Sequence, residues 1–393
     1  MLRSFDIFRK ATLGSGLVLA MFGTAYAGKV NILYPFKGGS DGAESVSGVI
    51  SDNRGNLYGT TLEGGGSGCG GQGCGTVFRL APDGTETVLY AFQGGSDGYR
   101  PFSGLVRDRD GNLYGVTGGG SNCGCGTVFR LAADGTLTTL HAFSDGSDGA
   151  FPEAGLLRDQ RGNLYGTTAG GGAHNGGTVF RIAPDGAETV IYAFCAQANC
   201  TDGQAPQSTL IADKEGNLYG TTVGGGNPGG GTVFKLAPDG TETVLYNFCS
   251  VQPDCQDGYE PYAGVTMDQA GNLYGTTSWG GALDDAGLGT VFKLAPDGTE
   301  TVLHSFWLET DGANPMTGVI VDKAGDIYGT LTRTYACKTD LGSVYRLSPD
   351  GSEKLRCIAS AIYAGVMERN GYLYGTGAGS DKYPSGIVFA LGK

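Results

Sequence analysis

The string Gly-Asn-Leu-Tyr-Gly starts at Gly55, Gly111, Gly162, Gly216 and Gly271, and returns in altered form at Gly325 (Gly-Asp-Ile-Tyr-Gly) and Gly371 (Gly-Tyr-Leu-Tyr-Gly). A chain that repeats one unit seven times, at a spacing of about 53 residues, builds one supersecondary element seven times and buries its apolar faces between neighbours. A second string, Gly-Thr-Val-Phe-Arg/Lys-Leu/Ile, starts at Gly75, Gly126, Gly177, Gly231 and Gly289, with variants at Gly342 and Gly386. A third, like Thr87-Val88-Leu89-Tyr90-Ala91-Phe92, ends at Phe92, Phe143, Phe194, Phe248 and Phe306.

Each unit reads as four short strands. In the first they span 47–52, 56–61, 76–81 and 86–92, with turns at Asn53-Arg54-Gly55 and Pro82-Asp83-Gly84 and a Gly-rich loop between the second and third. The 74 glycines recur at fixed repeat positions beside Tyr, Phe and Val, so they punctuate strands. Seven such units predict an all-β, seven-bladed β-propeller of four-stranded blades over residues 28–393. The phase of the repeats favours a closed ring over an open solenoid. The chain begins on a fourth-strand copy, residues 30–36, and ends after a third-strand copy, 386–391, so the first is expected to complete the last blade. A monomer is expected.

The pattern Asn-Leu-Tyr-Gly-Thr-Thr followed by Gly-Thr-Val-Phe-Arg-Leu-Ala-Pro-Asp-Gly-Thr resembles the GloVer tandem repeat of bacterial exported proteins, over essentially all of the chain after residue 27. The resemblance implies a propeller-like repeat and a surface or extracellular location. Members often carry a C-terminal sorting signal, whereas residues 386–393 here read as a strand and a stop. It implies no established activity. The strand order is also similar to that of other bacterial propellers, some of them lyases, but no motif here matches their catalytic residues.

Residues 1–27 read as a secretory signal peptide: Arg3, Arg9 and Lys10 precede an apolar run, and Ala25-Tyr26-Ala27 offers the cleavage site. The run is shorter than a spanning helix needs, so no transmembrane segment is expected in the mature protein. An exported protein, periplasmic or extracellular, follows. The net charge is −13, and residues 1–27 hold three of the basic side chains and one acidic one, so the mature protein is more acidic still. Nucleic acid and anionic membrane are poor partners for it.

Strand order assigns the loops to two faces. Turns between strands one and two and between three and four share a face that is nearly identical from unit to unit. The loops between strands two and three and between units share the other, which varies. A rigid scaffold with variable loops places binding on the second face. There the inter-unit loops carry Asp-Gly-x-x-Pro, starting at Asp97, Asp148, Asp202, Asp257 and Asp311, with Asp41-Gly42 opening a sixth copy. An Asx-type turn explains the aspartates; Ca²⁺ held by them and by carbonyls is the alternative. One variable position per unit follows: Val46, Phe102, Glu153, Gln207, Tyr262, Met316 and Tyr363. These are expected to ring the channel mouth, with Tyr99, Arg100, Phe151, Tyr259, Glu260 and Asn314 nearby. Aromatics with a few polar groups suit a glycan, a peptide or a partner protein.

All ten cysteines follow residue 27 and read as disulfides. Cys69/Cys74, Cys195/Cys200 and Cys249/Cys255 are close pairs, Cys337/Cys357 ties a loop to an outer strand, and the pairing of Cys123 and Cys125 is left open. Catalytic motifs and cofactor fingerprints are missing from the sequence. A non-enzymatic binding or surface-interaction protein is therefore the first expectation, with a purely structural envelope protein as one alternative. The other is an exported hydrolase or lyase drawing on Glu153, Glu260, Asp284, Asp285 and His174.

Overall fold

A computed structural model describes residues 30–121, 123–281, 287–307, 310–334, 336–337 and 341–393; the expected signal peptide lies outside them. The motif that opens each unit is explained by its turn. Asp52 Oδ1 accepts the backbone N–H groups of Arg54 and Asn56, both at 2.9 Å, while Oδ2 accepts Asn56 Nδ2 at 2.8 Å and the Tyr58 hydroxyl at 3.1 Å. Asn and Tyr of the repeat are thus donors to one carboxylate. The arrangement recurs at Asp108, Asp159, Asp213 and Asp268. Burial alone would raise these carboxyls, but the hydrogen bonds outweigh it and hold them below the ordinary carboxylate value. The motif's last glycine has a packing reason. Gly59 pairs directly with Phe78 across the sheet, and a Cβ there would stand 2.7 Å from Phe78 Cζ.

With the turn fixed, the unit runs as an antiparallel meander. In the first blade the strands are Ile50–Ser51, Leu57–Thr61, Thr76–Leu80 and Glu86–Ala91. Seven four-stranded sheets of this kind form a seven-bladed β-propeller, with two single 3₁₀ turns among the described loop residues. The last blade joins Met367–Arg369, Tyr372–Gly377 and Ile387–Gly392 to Asn31–Pro35 from the other end of the chain. Its register sets Asn31 opposite Ala390 and Pro35 opposite Ile387, the closure expected from repeat phase. Among the described residues no helix is long and apolar enough to cross a membrane.

The innermost strand is shorter than expected, two paired residues where 47–52 was read as strand. Its first residues are bonded to other blades instead. Thr60 Oγ1 donates to Pro101 O at 2.9 Å, and Thr167, Thr221, Thr276 and Thr330 donate to the corresponding inner segment of the next blade. Thr376 Oγ1 donates to Ser47 O at 2.7 Å and carries the pattern across the junction of last and first blades.

Further out the blades meet through aromatic edges. The phenylalanine ending each outer strand packs on the third-strand ring of the next blade: Phe36 on Phe78, Phe92 on Phe129, Phe143 on Phe180, Phe194 on Phe234 and Phe248 on Phe292. Phe306 meets Tyr345 at the sixth such junction, with centroids 5.0 Å apart. The Tyr345 hydroxyl is buried without a hydrogen-bond partner. Tyr345→Phe restores the ring that the other blades carry, and is expected to raise stability by about 1–2 kcal/mol, read by thermal or denaturant unfolding.

Outside the aromatic layer, the glutamate opening an outer strand faces the Asp-Gly loop of the preceding blade. Burial first, and then Asp41, Asp202 and Asp257 respectively, push Glu86, Glu242 and Glu300 up to about 7. The folded protein therefore holds these protons where an unfolded glutamate, near 4.5, has lost them. Their contribution is complete below about pH 4.5 and disappears as pH rises through 7. The melting temperature is expected to fall between pH 5 and pH 8, and the triple variant E86Q/E242Q/E300Q to flatten that slope.

Candidate binding site at the channel mouth

The loops that cap the variable face are built on the Asp-Gly aspartates, which reach backward along the chain. Asp41 accepts the Tyr34 hydroxyl and the Lys37 backbone N–H, both at 2.6 Å; Asp97 accepts Tyr90 at 3.1 Å and the Gln93 N–H at 2.7 Å. Asp202 and Asp257 do the same with Tyr192 and Tyr246, and Asp148 and Asp311 with His141 and His304. The forward bond of an Asx turn is replaced by one to the residue that follows the outer strand. Each aspartate thereby ties its loop to the strand just left.

Two residues beyond each aspartate-glycine pair the backbone turns left-handed. Glu44, Arg100, Phe151, Ala205, Glu260 and Asn314 all have φ between 52° and 59°, a region that disfavours residues with a Cβ. Hydrogen bonds from both sides hold it. Arg100 N donates to Cys74 O in the blade before at 3.0 Å, and its carbonyl accepts Gly118 N of the blade after, also at 3.0 Å. Ala205 is held in the same way, by Gly176 O at 2.8 Å and Val223 N at 3.1 Å. This clamp was invisible in the sequence, since its occupants share no chemistry. Beside it, the residue after the glycine pairs with the end of the second strand: Tyr99 with Gly119, and Tyr259 with Trp279. A Cβ on Gly119 would collide with the Tyr99 ring, which packs against that glycine.

In six blades the clamp precedes the variable position, which points inward; Tyr363 joins the ring without one. Val46, Phe102, Glu153, Gln207, Tyr262, Met316 and Tyr363, one from each blade, line a single depression of about 620 Å³ together with Glu44 and Leu62. Met316 and Tyr363 are among its most exposed apolar side chains, at 37% and 50%. Tyr99, Arg100, Phe151, Tyr259, Glu260 and Asn314 do not line it; they lie outside it in the same loops. Phe151 is exposed, and Asn314 Nδ2 donates to Ser278 O at 3.1 Å. Two of the outer residues still act on the mouth. Burial, then Glu260 and Glu153, raise the Tyr262 hydroxyl above its ordinary value. Burial, then Glu63, raise Glu44, against the opposing charge of Arg100. Glu153 is open to water within the recess, and partial desolvation raises its carboxyl. The recess thus offers aromatic faces, one amide and two exposed carboxyls raised by partial desolvation.

The five disulfides join Cys69–Cys74, Cys123–Cys125, Cys195–Cys200, Cys249–Cys255 and Cys337–Cys357, and settle the pairing left open in the sequence. They stiffen loops of the variable face and indicate an exported protein. His174 is exposed on the loop between the second and third strands of its blade, and His141 and His304 stand on outer strands. Asp284 and Asp285 lie outside the described residues. The repeated face also departs from expectation. A depression of about 1170 Å³ opens there, bounded by Arg158, Gln160, Arg161, Lys214 and Gln269. Its turn framework is copied, but the two tip positions between Asp and Gly vary from blade to blade, and those tips supply the rim.

A model of the Gloeobacter/Verrucomicrobia repeat matches residues 12–201 and again 194–389. No curated protein matches the chain in sequence. Among solved structures, the extracellular domain of BT4673 from B. thetaiotaomicron is similar at 13% identity and TM-score 0.54, over 94% of this chain and 42% of that one. The Niastella koreensis GH74 enzyme is similar at 16% identity and TM-score 0.50, over 83% of this chain and 46% of that one. The chain thus spans less than half the length of either, and at such identities the likeness is one of fold.

The left-handed clamp makes a direct prediction at Ala205, which has no side chain beyond Cβ to lose. Ala205→Gly is expected to leave stability unchanged or higher, and Ala205→Val to lower it by about 1–3 kcal/mol, measured by denaturant unfolding.

Proposed function

The chain belongs to the Gloeobacter/Verrucomicrobia repeat family, and on that footing we propose that it is an exported binding propeller whose variable-loop mouth holds part of a neutral glycan. The observation that carries this reading is convergence: seven blades each send one variable side chain into one open recess of about 620 Å³. Phe102, Tyr262 and Tyr363 provide faces for the C–H surfaces of a sugar ring. Gln207, Glu153 and Glu44 provide acceptors, and Gln207 a donor, for hydroxyl groups. The acidic balance of the chain disfavours anionic polymers. A peptide would find the same groups, but the open shape and few donors favour a ligand rich in hydroxyls.

A second reading, an exported hydrolase or lyase, draws on one observation: Glu153 and Glu260 both act on the Tyr262 hydroxyl. Against it, the described residues of the recess include no histidine, and the one group of three or more His, Cys and acidic side chains found among the described residues that could hold a metal stands on the outer wall.

Glycan-array screening of the mature protein, followed by calorimetry on the hits, separates the readings. Binding without turnover is expected. Tyr262→Ala and Tyr363→Ala should each weaken affinity by about tenfold or more, as truncation of a central aromatic does elsewhere. Turnover of a polysaccharide, lost in Glu153→Gln, would establish the enzymatic reading instead.

A further inference from the structure

Five inter-blade clefts on the outer wall share one plan. A side chain near the end of an outer strand meets the aspartate of the loop that follows and the glutamate opening the next blade's outer strand. In three clefts the first side chain is tyrosine: Tyr34, Tyr192 and Tyr246. In the other two it is His141 or His304, and the whole chain has only three histidines. Tyrosine serves as a hydrogen-bond donor here. Burial and the neighbouring carboxylates push those phenols well up, so they stay protonated and donate to the aspartate. Imidazole offers what a phenol does not, a lone pair on nitrogen at neutral pH.

At the junction of the fifth and sixth blades this substitution completes a set of donors. His304 Nε2 stands 2.7 Å from Asp311 Oδ2 and 3.9 Å from Glu353 Oε2, and one ligand atom from each residue lies within 4.8 Å of the others. Asp311 is already oriented. Its Oδ1 accepts the Trp307 N–H at 2.6 Å and the Thr310 hydroxyl at 2.9 Å, which turns Oδ2 toward the imidazole. The Glu353 side chain is only 8% exposed, and its Oε1 is buried without a hydrogen-bond partner, as are those of Glu86, Glu188, Glu242 and Glu300 in the other four clefts. A buried carboxyl oxygen without a donor is satisfied by keeping its proton or by meeting a cation, and among the described residues only this cleft brings an imidazole and two carboxyls within 4.8 Å of one another, where a cation could take the proton's place. The His304 side chain is 21% exposed, which leaves an entry from solvent.

We propose that His304 Nε2, Asp311 Oδ2 and the Glu353 carboxylate form a site for a divalent first-row metal ion of the Zn²⁺ type, clamping the fifth blade to the sixth. One imidazole and two carboxylates suit such an ion, with water in the remaining position. The Asp311 contacts to Trp307 and Thr310 are the supporting bonds that metal ligands need to hold their orientation. His304 and Asp311 belong to the fifth blade and its exit loop, and Glu353 to the sixth, so the ion crosslinks two blades that otherwise meet here by packing. The cleft at His141 is a looser version. There Nε2 is 3.2 Å from Asp148, and both side chains are about one-fifth exposed.

The test uses untagged mature protein with its disulfides formed, stripped with a chelator and titrated with Zn²⁺ in a calorimeter, with melting followed in parallel. One equivalent is expected to bind, and saturating Zn²⁺ to raise the melting midpoint by a few degrees. His304→Tyr installs the residue that three sister clefts already carry, and is expected to remove both effects; Glu353→Gln should do the same, and serves alone if the first variant folds poorly. His141→Tyr should keep both. Failure of the wild type to bind Zn²⁺, or one-equivalent binding that survives both His304→Tyr and Glu353→Gln, would overturn the site.

Discussion

The edge of one aromatic ring set against the face of another, across a glycine, is the contact on which the ring of blades depends. In the first junction Phe78 lies over Gly59 of its own blade and takes the edge of Phe36 from the blade before, with centroids 5.1 Å apart. Five junctions share this edge-on geometry at 5.0–5.3 Å, and at a sixth Phe306 and Tyr345 meet tilted at 5.0 Å. Each such pair contributes about 0.5–1.5 kcal/mol beyond the area it buries. The larger consequence is geometric. A Cβ at the glycine would lift the ring and change the angle between blades, and the same small error at every junction would keep the last blade from meeting the first. The repeat motif keeps its glycine because closure compounds whatever error each blade carries.

Closure in turn frees the other face. Because the blades are fixed by buried rings and by threonine hydroxyls near the axis, the variable loops need not hold the ring together. They need only be anchored at their ends. The back-reaching aspartate supplies one anchor and the left-handed clamp the other. Between them the chain accepts Val, Phe, Glu, Gln, Tyr or Met at one position without disturbing the scaffold. That is why one recess can carry six different kinds of side chain, six of its seven positions standing on nearly identical supports.

What the sequence revealed follows from which forces are local. The strands, the turns and the spare outer strand at residues 30–36 were legible because alternation and turn residues act over a few positions. The mouth ring was legible because one position per repeat varies freely between one that is proline in five units and one that is always small. The clamp at Ala205 was not, since its φ is imposed by partners at Gly176 and Val223 in two different blades, and nothing about alanine announces it. Nor was the direction of the Asp-Gly bonds, because both directions satisfy the same residue pattern. The depression beside Arg158 was missed for another reason: a conserved framework of Asp, Gly, Asn and Tyr masked two variable tips within it.

The sixth and seventh blades show how far the pattern can bend. Asp326 replaces the usual asparagine and would set a second carboxylate beside Asp322. Arg346 answers it at 2.6 Å, while Lys393 reaches Asp322 and Glu368 at 2.9 Å each. Ile358 stands where the earlier outer strands end in phenylalanine, and packs with Phe389 in the core between these blades. The loop leaving the sixth blade has no Asp-Gly motif, and the Cys337–Cys357 disulfide ties its start to the loop between that blade's middle strands. Ion pairs, an aliphatic contact and a covalent bond thus stand in for hydrogen bonds and an aromatic edge. The His304 cleft borders this same region, where the copied contacts thin out. A crosslink between the fifth and sixth blades would act where the repeat gives the ring its least uniform support.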